Sequence, residues 1–386
     1  MRVAINGSFW HKTTTGSGQY VRELVSAMAQ SNRENDYVLI VPEGESTRAH
    51  LRVLDDISPR TFLYPESVAL ARYSENLAKV WFEQRVFGRV CRRERADLAH
   101  VPYFGSPLFP ATRTVVTIHD LIPMLLPLYR GSPFVRLYTA LAAASARRAD
   151  AIIADSECTK RDIVRRLKIP EERVRVVYLA ASARYRPIED VAAVRAKYAL
   201  PDRYLLYLGG FDQRKNVRVI IEAFALLPEL YRERYRLALA GVSLGNDSAF
   251  FPDPRRIAQE VGLPEDAIRY VGGVLEEDKP ALYSGATLFL YSSLYEGFGL
   301  QPLEAMACGA PVIASNASSL PEIIGDAGLA VDPSSPIAWA EALRAVVGDA
   351  ARRDAMRAQG MAQAAKFSWA RAAEETWAVY RSAMGG

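Results

Sequence analysis

A chain of 386 residues, 50% hydrophobic and 24% charged, has the composition of an ordinary soluble globular protein and the length of two or three domains. No uninterrupted apolar run reaches the ~18 residues of a membrane-spanning helix, and three scattered cysteines, Cys91, Cys158 and Cys308, lack metal-ligand spacing and read as reduced cytosolic thiols. The net charge of +4 is uneven: residues 1–185 carry 27 basic and 19 acidic residues, whereas residues 186–386 carry 21 and 25.

The opening MRVAINGSFW reads as a strand, Arg2–Asn6, and not as a signal peptide, because its apolar core is too short and no cleavage-like segment follows. After the loop GSFWHKTTTGSGQ, the residues Tyr20, Val21, Leu24, Val25 and Met28 recur at helical spacing. They predict an amphipathic helix over 18–30, opened by Ser17 or Gly18. Residues 37–41 form the second strand. Such a βαβ opening invites a nucleotide or phosphate at its first turn. Gly16-Ser17-Gly18 matches the start of the dinucleotide fingerprint G-x-G-x-x-G, and Glu43 follows the second strand. Val21 occupies the third glycine position, however, and the turn from Asn6 to Gly16 is too long, which leaves a nucleotide-binding oxidoreductase as a distant alternative.

Residues 66–96 read as helical and basic, with Leu77, Val80, Trp81, Val86, Phe87 and Val90 inward. Leu98–Val101 is a strand, followed by the turn PYFGSPLFP. Residues 114–118 form the next strand and end in His119-Asp120, at a strand's carboxyl end, where open α/β sheets bind ligands. A lone histidine is more often structural, so this position needs its context. Asp120 suits orienting His119 or capping the next turn. Residues 133–148 are helical, with Val135, Leu137, Tyr138 and Leu141 on the apolar side. Ala151–Ala154 is a buried strand, and Ser156 or Thr159 caps the basic helix after it. Residues 174–178 close the first domain, and a linker spans about 180–190. The excess charge sits largely at Arg85, Arg89, Arg92, Arg93 and Arg95, and at Arg161, Arg165, Arg166 and Lys168. These clusters suit an anionic membrane surface or a phosphorylated acceptor, with a solvated helix face as the plain alternative.

The second half alternates strand and helix. Tyr204–Leu208 is an apolar strand, GGFDQRKNV follows, and residues 216–227 form a helix with Val219, Ile220, Ala223 and Phe224 inward. Arg214 and Lys215 therefore stand where a strand ends and a helix begins, an anion site or a solvated basic turn. Further strands are expected at 237–240, 268–271 and 287–291, and helices at 254–261, 279–284, 337–347, 354–366 and 369–384. The most informative stretch is 295–315, YEGFGLQPLEAMACGAPVIAS. Gly297 and Gly299 let backbone approach a ligand. Pro302 fits an early helical position, Gly309 fits C′, and Pro311 blocks continuation. Glu296 lies in the turn and Glu304 is expected in the first helical turn, where it serves a ligand or merely complements the helix dipole. Ser318, Ser319 and Glu322 contact a ligand or cap a turn.

This stretch resembles the E-x7-E signature of the retaining family-four glycosyltransferases, which have the GT-B fold. E-G-F-G-L, P-L-E-A-M-A and G-x-P-V-I-A-S match along with the two acids. GFDQRKN resembles the family's G-x-x-x-x-R-K-N segment, and TIHDLIP resembles the context of its first-domain histidine. The resemblance implies an α/β GT-B fold, two Rossmann-like domains whose parallel sheets face across a cleft. Residues 1–185 would be the acceptor-side domain and residues 186–368 the nucleotide-sugar domain, with the C-terminal helix 369–386 packing back on the first. It also implies site roles. His119 lies near the donor sugar, Arg214 and Lys215 bind the donor diphosphate, Glu296 lies by the sugar and Glu304 binds the ribose. Gly297, Phe298, Gly299 and Leu300 form the donor turn, and Gly16 and Gly18 match a glycine-rich loop contacting the donor diphosphate or the acceptor.

The implied reaction is metal-independent hexosyl transfer with retention, by same-face displacement, and it needs no cofactor beyond the nucleotide-sugar substrate. No Asp-x-Asp motif is present in the chain. RKN with ASNASSLPE looks most like the mannosyltransferase branch, which favours GDP-mannose; UDP-glucose or another UDP-sugar is the alternative donor. The expected acceptor is a glycan or lipid-linked saccharide in polysaccharide biosynthesis, and no nucleic-acid partner is expected. The expected location is cytoplasmic, with peripheral contact on the inner leaflet. A sugar-nucleotide binder without turnover is a further alternative.

Overall fold

The computed structural model describes residues 1–13, 15–31, 34–43, 60–65, 75–242 and 247–385. They form two compact units, Met1–Leu179 with Ser368–Gly386, and Ala180–Phe367.

The first unit is built on a seven-stranded parallel sheet of order β3-β2-β1-β4-β5-β6-β7. Its strands are β1 (Arg2–Asn6), β2 (Asp36–Glu43), β3 (Arg60–Pro65), β4 (Leu98–Val101), β5 (Arg113–Ile118), β6 (Ala151–Ala154) and β7 (Val174–Val176). Helices cover both faces of such a sheet, so its strands read as short continuous apolar runs. In β1, Ile5 pairs with Leu39 on one side and His100 on the other. Chain order reverses between β1 and β4, which makes their carboxyl ends the switch point of the sheet. Helix α1 (Gly16–Ser31) buries Tyr20, Val21, Leu24, Val25 and Met28. Each such side chain contributes about 1.5–3 kcal/mol on full burial.

Three expectations for this unit need correction. Strand β3 adds to the edge of the sheet, pairing Phe62 with Ile40, in a region where no strand is expected from the sequence. In the basic helical region, residues 66–74 lie outside the described residues. Beyond them, helix α2 (Glu75–Trp81) leads into one π-type turn over Phe82–Val86 and then into α3 (Phe87–Arg93). Leu77 and Trp81, ahead of that turn, are each 43% exposed, while Phe87 and Val90 are buried as expected, together with Phe82, Glu83 and Cys91. Helix α4 (Pro133–Ala146) exposes Leu137 at 70%; its small C-terminal residues Ala142, Ala143 and Ala146 make the buried contact instead. The arginines of both basic clusters lie at the surface, and Lys168 is exposed.

The last helix, Trp369–Ala383, belongs to this unit. Trp377 donates from Nε1 to Tyr37 at 3.0 Å, and the Tyr380 hydroxyl lies 2.7 Å from His100 Nδ1. Burial pushes His100 down to about 3, so it stays neutral.

The second unit holds a six-stranded parallel sheet of order β10-β9-β8-β11-β12-β13. Its strands are β8 (Tyr204–Leu208), β9 (Arg236–Ala240), β10 (Ile268–Gly272), β11 (Leu288–Tyr291), β12 (Val312–Ser315) and β13 (Leu329–Val331). Here the order reverses between β8 and β11, so the segments following those two strands share the switch point. Those segments carry Arg214-Lys215 and the turn at 295–300. All three cysteines are free. No helix among the described residues is long and apolar enough to cross a membrane.

Candidate active site

After β8, Gln213–Lys215 make one 3-10 turn, and Asn216 follows in the left-handed region at φ 51, ψ 41, which Asn tolerates better than most residues. Helix α5 (Val217–Ala225) then starts. The Ser292 hydroxyl ties this turn to the end of β11 through the carbonyls of Lys215 and Asn216, at 2.8 and 3.0 Å. Leu294 N donates to Arg214 O at 2.7 Å.

The two cations converge on one acid. Glu296 Oε1 lies 2.6 Å from Arg214 Nη1 and 2.7 Å from Lys215 Nζ. The same oxygen accepts from the Tyr291 hydroxyl at 3.0 Å, and that hydroxyl accepts from Lys215 Nζ at 2.8 Å. The Arg214, Lys215 and Glu296 side chains are only 13%, 12% and 13% exposed. Burial alone would raise the Glu296 pKa; Lys215 and Arg214 overcome it and hold the carboxyl at about 2. The group is therefore a charged, partly desolvated cluster; with Asp212 Oδ1 3.7 Å from Arg214 Nε its formal charges balance, and what it offers an anion is the N–H donors of the two cations.

The adjoining turn is fixed by two serines. Ser318 Oγ accepts from Glu296 N at 2.8 Å, and Ser319 Oγ donates to the carbonyls of Glu296 and Phe298 at 3.0 and 2.6 Å. Phe298 is buried edge-on against Phe367, with ring centroids 6.0 Å apart. Gly299 is the N-cap of α6 (Leu300–Ala307) at φ 116, and a Cβ there would stand 2.8 Å from Leu320 Cδ2. This position demands glycine on conformation and space. The helix start has no side-chain cap, which leaves its amides for an anion. Leu300 is the first helical residue.

Glu304 is the fifth residue of α6, one turn later than expected, so dipole compensation in the first turn does not account for it. It is buried and accepts from the Tyr283 hydroxyl at 3.2 Å. Burial pushes its pKa up to about 7, opposed by Lys279 and reinforced by Glu276. The two acids of the stretch thus have separate partners: cations for Glu296, a phenol for Glu304.

In the first unit, His119 follows β5. Its Nδ1 lies 2.6 Å from Asp155 Oδ2, and its Nε2 lies 3.1 Å from Pro102 O. Both ring nitrogens face acceptors, an arrangement that favours the imidazolium. Burial would lower the His119 pKa, but Asp155 outweighs it and the net direction is up. Asp120 caps the following turn by accepting from Ile122 N at 2.9 Å. The acid that orients the ring is Asp155, at the carboxyl end of neighbouring β6. Tyr20 packs edge-on against His119 at 4.8 Å.

Gly16 opens α1, and a Cβ placed on it would meet nothing within 4 Å, whereas a Cβ on Gly18 would meet Lys12 O at 1.9 Å. Gly18 is thus set by the packing of its own loop, and its N–H reaches Thr15 Oγ1 at 3.2 Å. Arg214, Lys215, Glu296, Gly297, Phe298, Gly299, Leu300 and Glu304 come together in the second unit; Gly16, Gly18 and His119 belong to the first. Sequence reasoning missed Tyr291, Tyr283 and Asp155 as partners. Asp155 obeys the same strand-end rule that singled out His119.

Comparison with known proteins is consistent across both halves. Residues 191–363 match the family described as Glycosyl transferases group 1, and residues 14–182 match Glycosyltransferase Family 4. O-antigen chain mannosyltransferase B of Escherichia coli is 37% identical over 285 residues, covering 73% of each chain. The serotype-specific mannosyltransferase WbdA of Escherichia coli is 34% identical over 68% of this chain, but that match spans only 32% of WbdA. Among solved structures, sucrose-phosphate synthase from Thermosynechococcus elongatus superposes at TM-score 0.75 and 23% identity, covering 99% and 98% of the two chains. HepE of Anabaena, in complex with UDP and glucose, gives 0.74 at 18% identity over 99% of this chain and 100% of HepE.

Proposed function

The chain belongs to the glycosyltransferases of group 1 and family 4 and has the GT-B fold, and we propose that it transfers mannose from GDP-mannose to a hydroxyl of a glycan or lipid-linked saccharide, with retention and without a metal ion. The observation that carries this reading is the convergence of Arg214 and Lys215 on Glu296 beside an uncapped helix start. The mannosyltransferase names of the two Escherichia coli relatives support the sugar, and the O-antigen chain named for one supports a polysaccharide acceptor.

Transfer breaks the bond from the anomeric carbon to the diphosphate oxygen, and the electron pair leaves with GDP. Preorganised donors aimed at that developing charge are the largest catalytic contribution in such sites. Arg214, Lys215 and the amides opening α6 supply them. The acceptor oxygen then bonds to the anomeric carbon on the face the diphosphate leaves, and its proton passes to a leaving phosphate oxygen. Glu296 serves the donor sugar and holds the two cations in place before the diphosphate arrives. Glu304 accepts from the ribose hydroxyls. His119, fixed by Asp155, serves the donor sugar. The surface arginines of the first unit suit peripheral contact with an anionic leaflet on the cytoplasmic side.

A UDP-sugar is the second donor reading, favoured by the UDP held in the HepE structure. Thermal shifts with GDP, UDP, dTDP and ADP, each in chelator, separate the two. A ligand at 100 times its Kd adds about 2.7 kcal/mol to the native state. A shift with GDP alone, followed by an α-linked product from GDP-mannose in the proton spectrum, is the expected result. A shift with UDP alone overturns the donor. A β-linked product overturns retention.

A further inference from the structure

A buried polar run leads from the last helix back to His119. Tyr380 on that helix brings its hydroxyl to 2.7 Å from His100 Nδ1. On the other side of the ring, His100 Nε2 lies 2.8 Å from Thr117 Oγ1, and the Tyr20 hydroxyl lies 2.9 Å from the same oxygen. Tyr380, His100, Thr117 and Tyr20 are all buried. Tyr20 then meets His119 edge-on, with ring centres 4.8 Å apart and planes at 82°. Four side chains thus join the last helix to His119, and the residue that completes the run stands 280 positions beyond His100 in the chain.

Three observations distinguish this run from core packing. The first is direction. Burial, reinforced by the nearby His119, keeps His100 neutral, and a neutral imidazole has one N–H and one acceptor nitrogen. The bonds therefore form a single file in which each fixes the next: when the Tyr380 hydroxyl donates to Nδ1, Nε2 must donate to Thr117. The second is placement. Thr117 is the penultimate residue of β5 and His119 follows the strand two positions on, so both stand on one face, and His100 lies on adjacent β4. The third is the support of His119 itself. Its bonds to Asp155 and Pro102 act in the plane of the ring, and Asp155 Oδ1 is buried without a hydrogen-bond partner among the described residues. The tilt of the ring is left to its packing, and Tyr20 supplies that packing.

We propose that Tyr20 is a positioning residue for His119, and that Tyr380, through His100 and Thr117, holds Tyr20 in place, so that the last helix sets the geometry of the histidine. The effect on rate rests on the glycosyl-transfer reading, whereas the link between Tyr380 and the His119 ring does not. His119 serves the donor sugar in that reading, and a misplacement of about 1 Å in a group that orients a reactant costs up to roughly 100-fold in rate. A phenol anchored at its hydroxyl pivots little. Freed from Thr117, Tyr20 keeps only its apolar contacts and leaves the edge-on geometry that aromatic pairs favour. The same helix has a separate anchor, from Trp377 Nε1 to the Tyr37 hydroxyl at 3.0 Å, which docks the helix and takes no part in the run.

The test uses the full chain, with GDP-mannose as donor and methyl α-mannoside and α-linked mannobiose as acceptors. Tyr380→Phe, Thr117→Val and Tyr20→Phe each delete one hydroxyl with little change of shape; Thr117→Ser keeps the hydroxyl, and Trp377→Phe cuts only the separate anchor. Each deletion is expected to lower kcat about fivefold to tenfold, the scale of one hydrogen bond, with the GDP-mannose KM and the GDP thermal shift unchanged. Combining Tyr380→Phe with Tyr20→Phe should be no slower than the slower single variant, because both cut the same file. Thr117→Ser and Trp377→Phe should turn over like the parent. Apart from turnover, the ring Hε1 signal of His119, assigned among the four histidines by its loss in His119→Gln, should move in Tyr380→Phe, although three side chains of the run separate the two residues. An unmoved signal in both Tyr380→Phe and Thr117→Val overturns the link. Multiplying losses in the double variant, or an equal loss in Trp377→Phe, overturns the file in favour of helix docking. A moved signal with normal kcat in all three deletions overturns the positioning role. If the parent binds GDP but transfers to neither mannoside, the ring signal decides. Absence of both GDP binding and transfer in the parent removes the transfer reading, and the ring signal still decides the link.

Discussion

Removing Lys215 separates the two jobs assigned to it, holding Glu296 and holding the diphosphate. The displacement of Glu296 from an ordinary 4.5 to about 2 corresponds to about 3 kcal/mol in favour of its charged form, at about 1.4 kcal/mol per pH unit. Because the folded pKa is depressed, that contribution is present above pH 4.5 and is lost as pH falls toward 2. Two cations at 2.6 and 2.7 Å share it. Lys215→Ala is therefore expected to cost about 2 kcal/mol at pH 7, about 1 M in urea midpoint at a slope of roughly 2 kcal/mol per M. Adding Glu296→Gln removes the stranded charge, so the double variant should be no less stable than Lys215→Ala alone. GDP affinity should behave differently. A lost charged hydrogen bond costs about 1.5–3 kcal/mol, or roughly 10- to 100-fold, in Lys215→Ala and in the double variant alike. Glu296→Gln alone should bind GDP at least as tightly as the parent, because the acid no longer competes for the cations. Urea titrations and calorimetry with GDP measure both. Additive stability losses would refute the ion cluster, and normal GDP affinity in both Arg214→Ala and Lys215→Ala would refute the diphosphate assignment.

Two further outcomes follow from the same geometry. Gly299→Ala places a Cβ 2.8 Å from Leu320 at φ 116 and should destabilise the protein by about 1–3 kcal/mol, whereas Gly16→Ala meets nothing within 4 Å and should leave the melting temperature within about a degree; equal effects would show that the turn is not under constraint. The raised pKa of His119 contributes stability below its unfolded value of about 6.5 and loses it as pH rises through the folded value. Asp155→Asn should lower that pKa in an NMR titration of the His119 ring, and an unmoved titration would remove Asp155 as the cause.

Much of the second unit is legible in the sequence because its signals are local. A parallel strand covered on both sides must be an apolar run; Tyr204–Leu208 stands at the position read from that rule, and Leu288–Tyr291 within a residue of it. The R-K-N turn and the E-G-F-G-L turn are likewise contiguous strings. What stays hidden depends on neighbours distant in the chain. Strand β3 is six residues stabilised by pairing with β2, not by a pattern of its own. Asp155 escapes notice as the partner of His119 because nothing local places β6 beside β5. Leu77 and Trp81 look inward by helical spacing but are exposed, and Phe82 and Glu83 on the π-type turn are buried in their place, while Phe87 and Val90 are buried as expected.

The two acids of the E-G-F-G-L stretch make a last consequence measurable. They are eight residues apart on one turn and helix, yet Glu296 is driven to about 2 and Glu304 to about 7. The cause is the supply of cations: Glu296 has two in contact, while burial dominates at Glu304. At neutral pH Glu296 is fully charged and Glu304 sits near its midpoint. In the folded protein alone, a raised carboxyl pKa costs stability as pH rises from 4.5 through 7, and Glu304→Gln should abolish that slope. Hydroxyl donors from a ribose favour the charged form of Glu304. GDP binding at pH 7 should therefore release about half a proton, read as a dependence of the calorimetric enthalpy on the ionisation enthalpy of the buffer. The release should shrink at pH 8.5 and disappear in Glu304→Gln. Binding of GDP with no buffer dependence at pH 7 would mean that Glu304 does not meet the nucleotide, whatever the fate of Arg214 and Lys215.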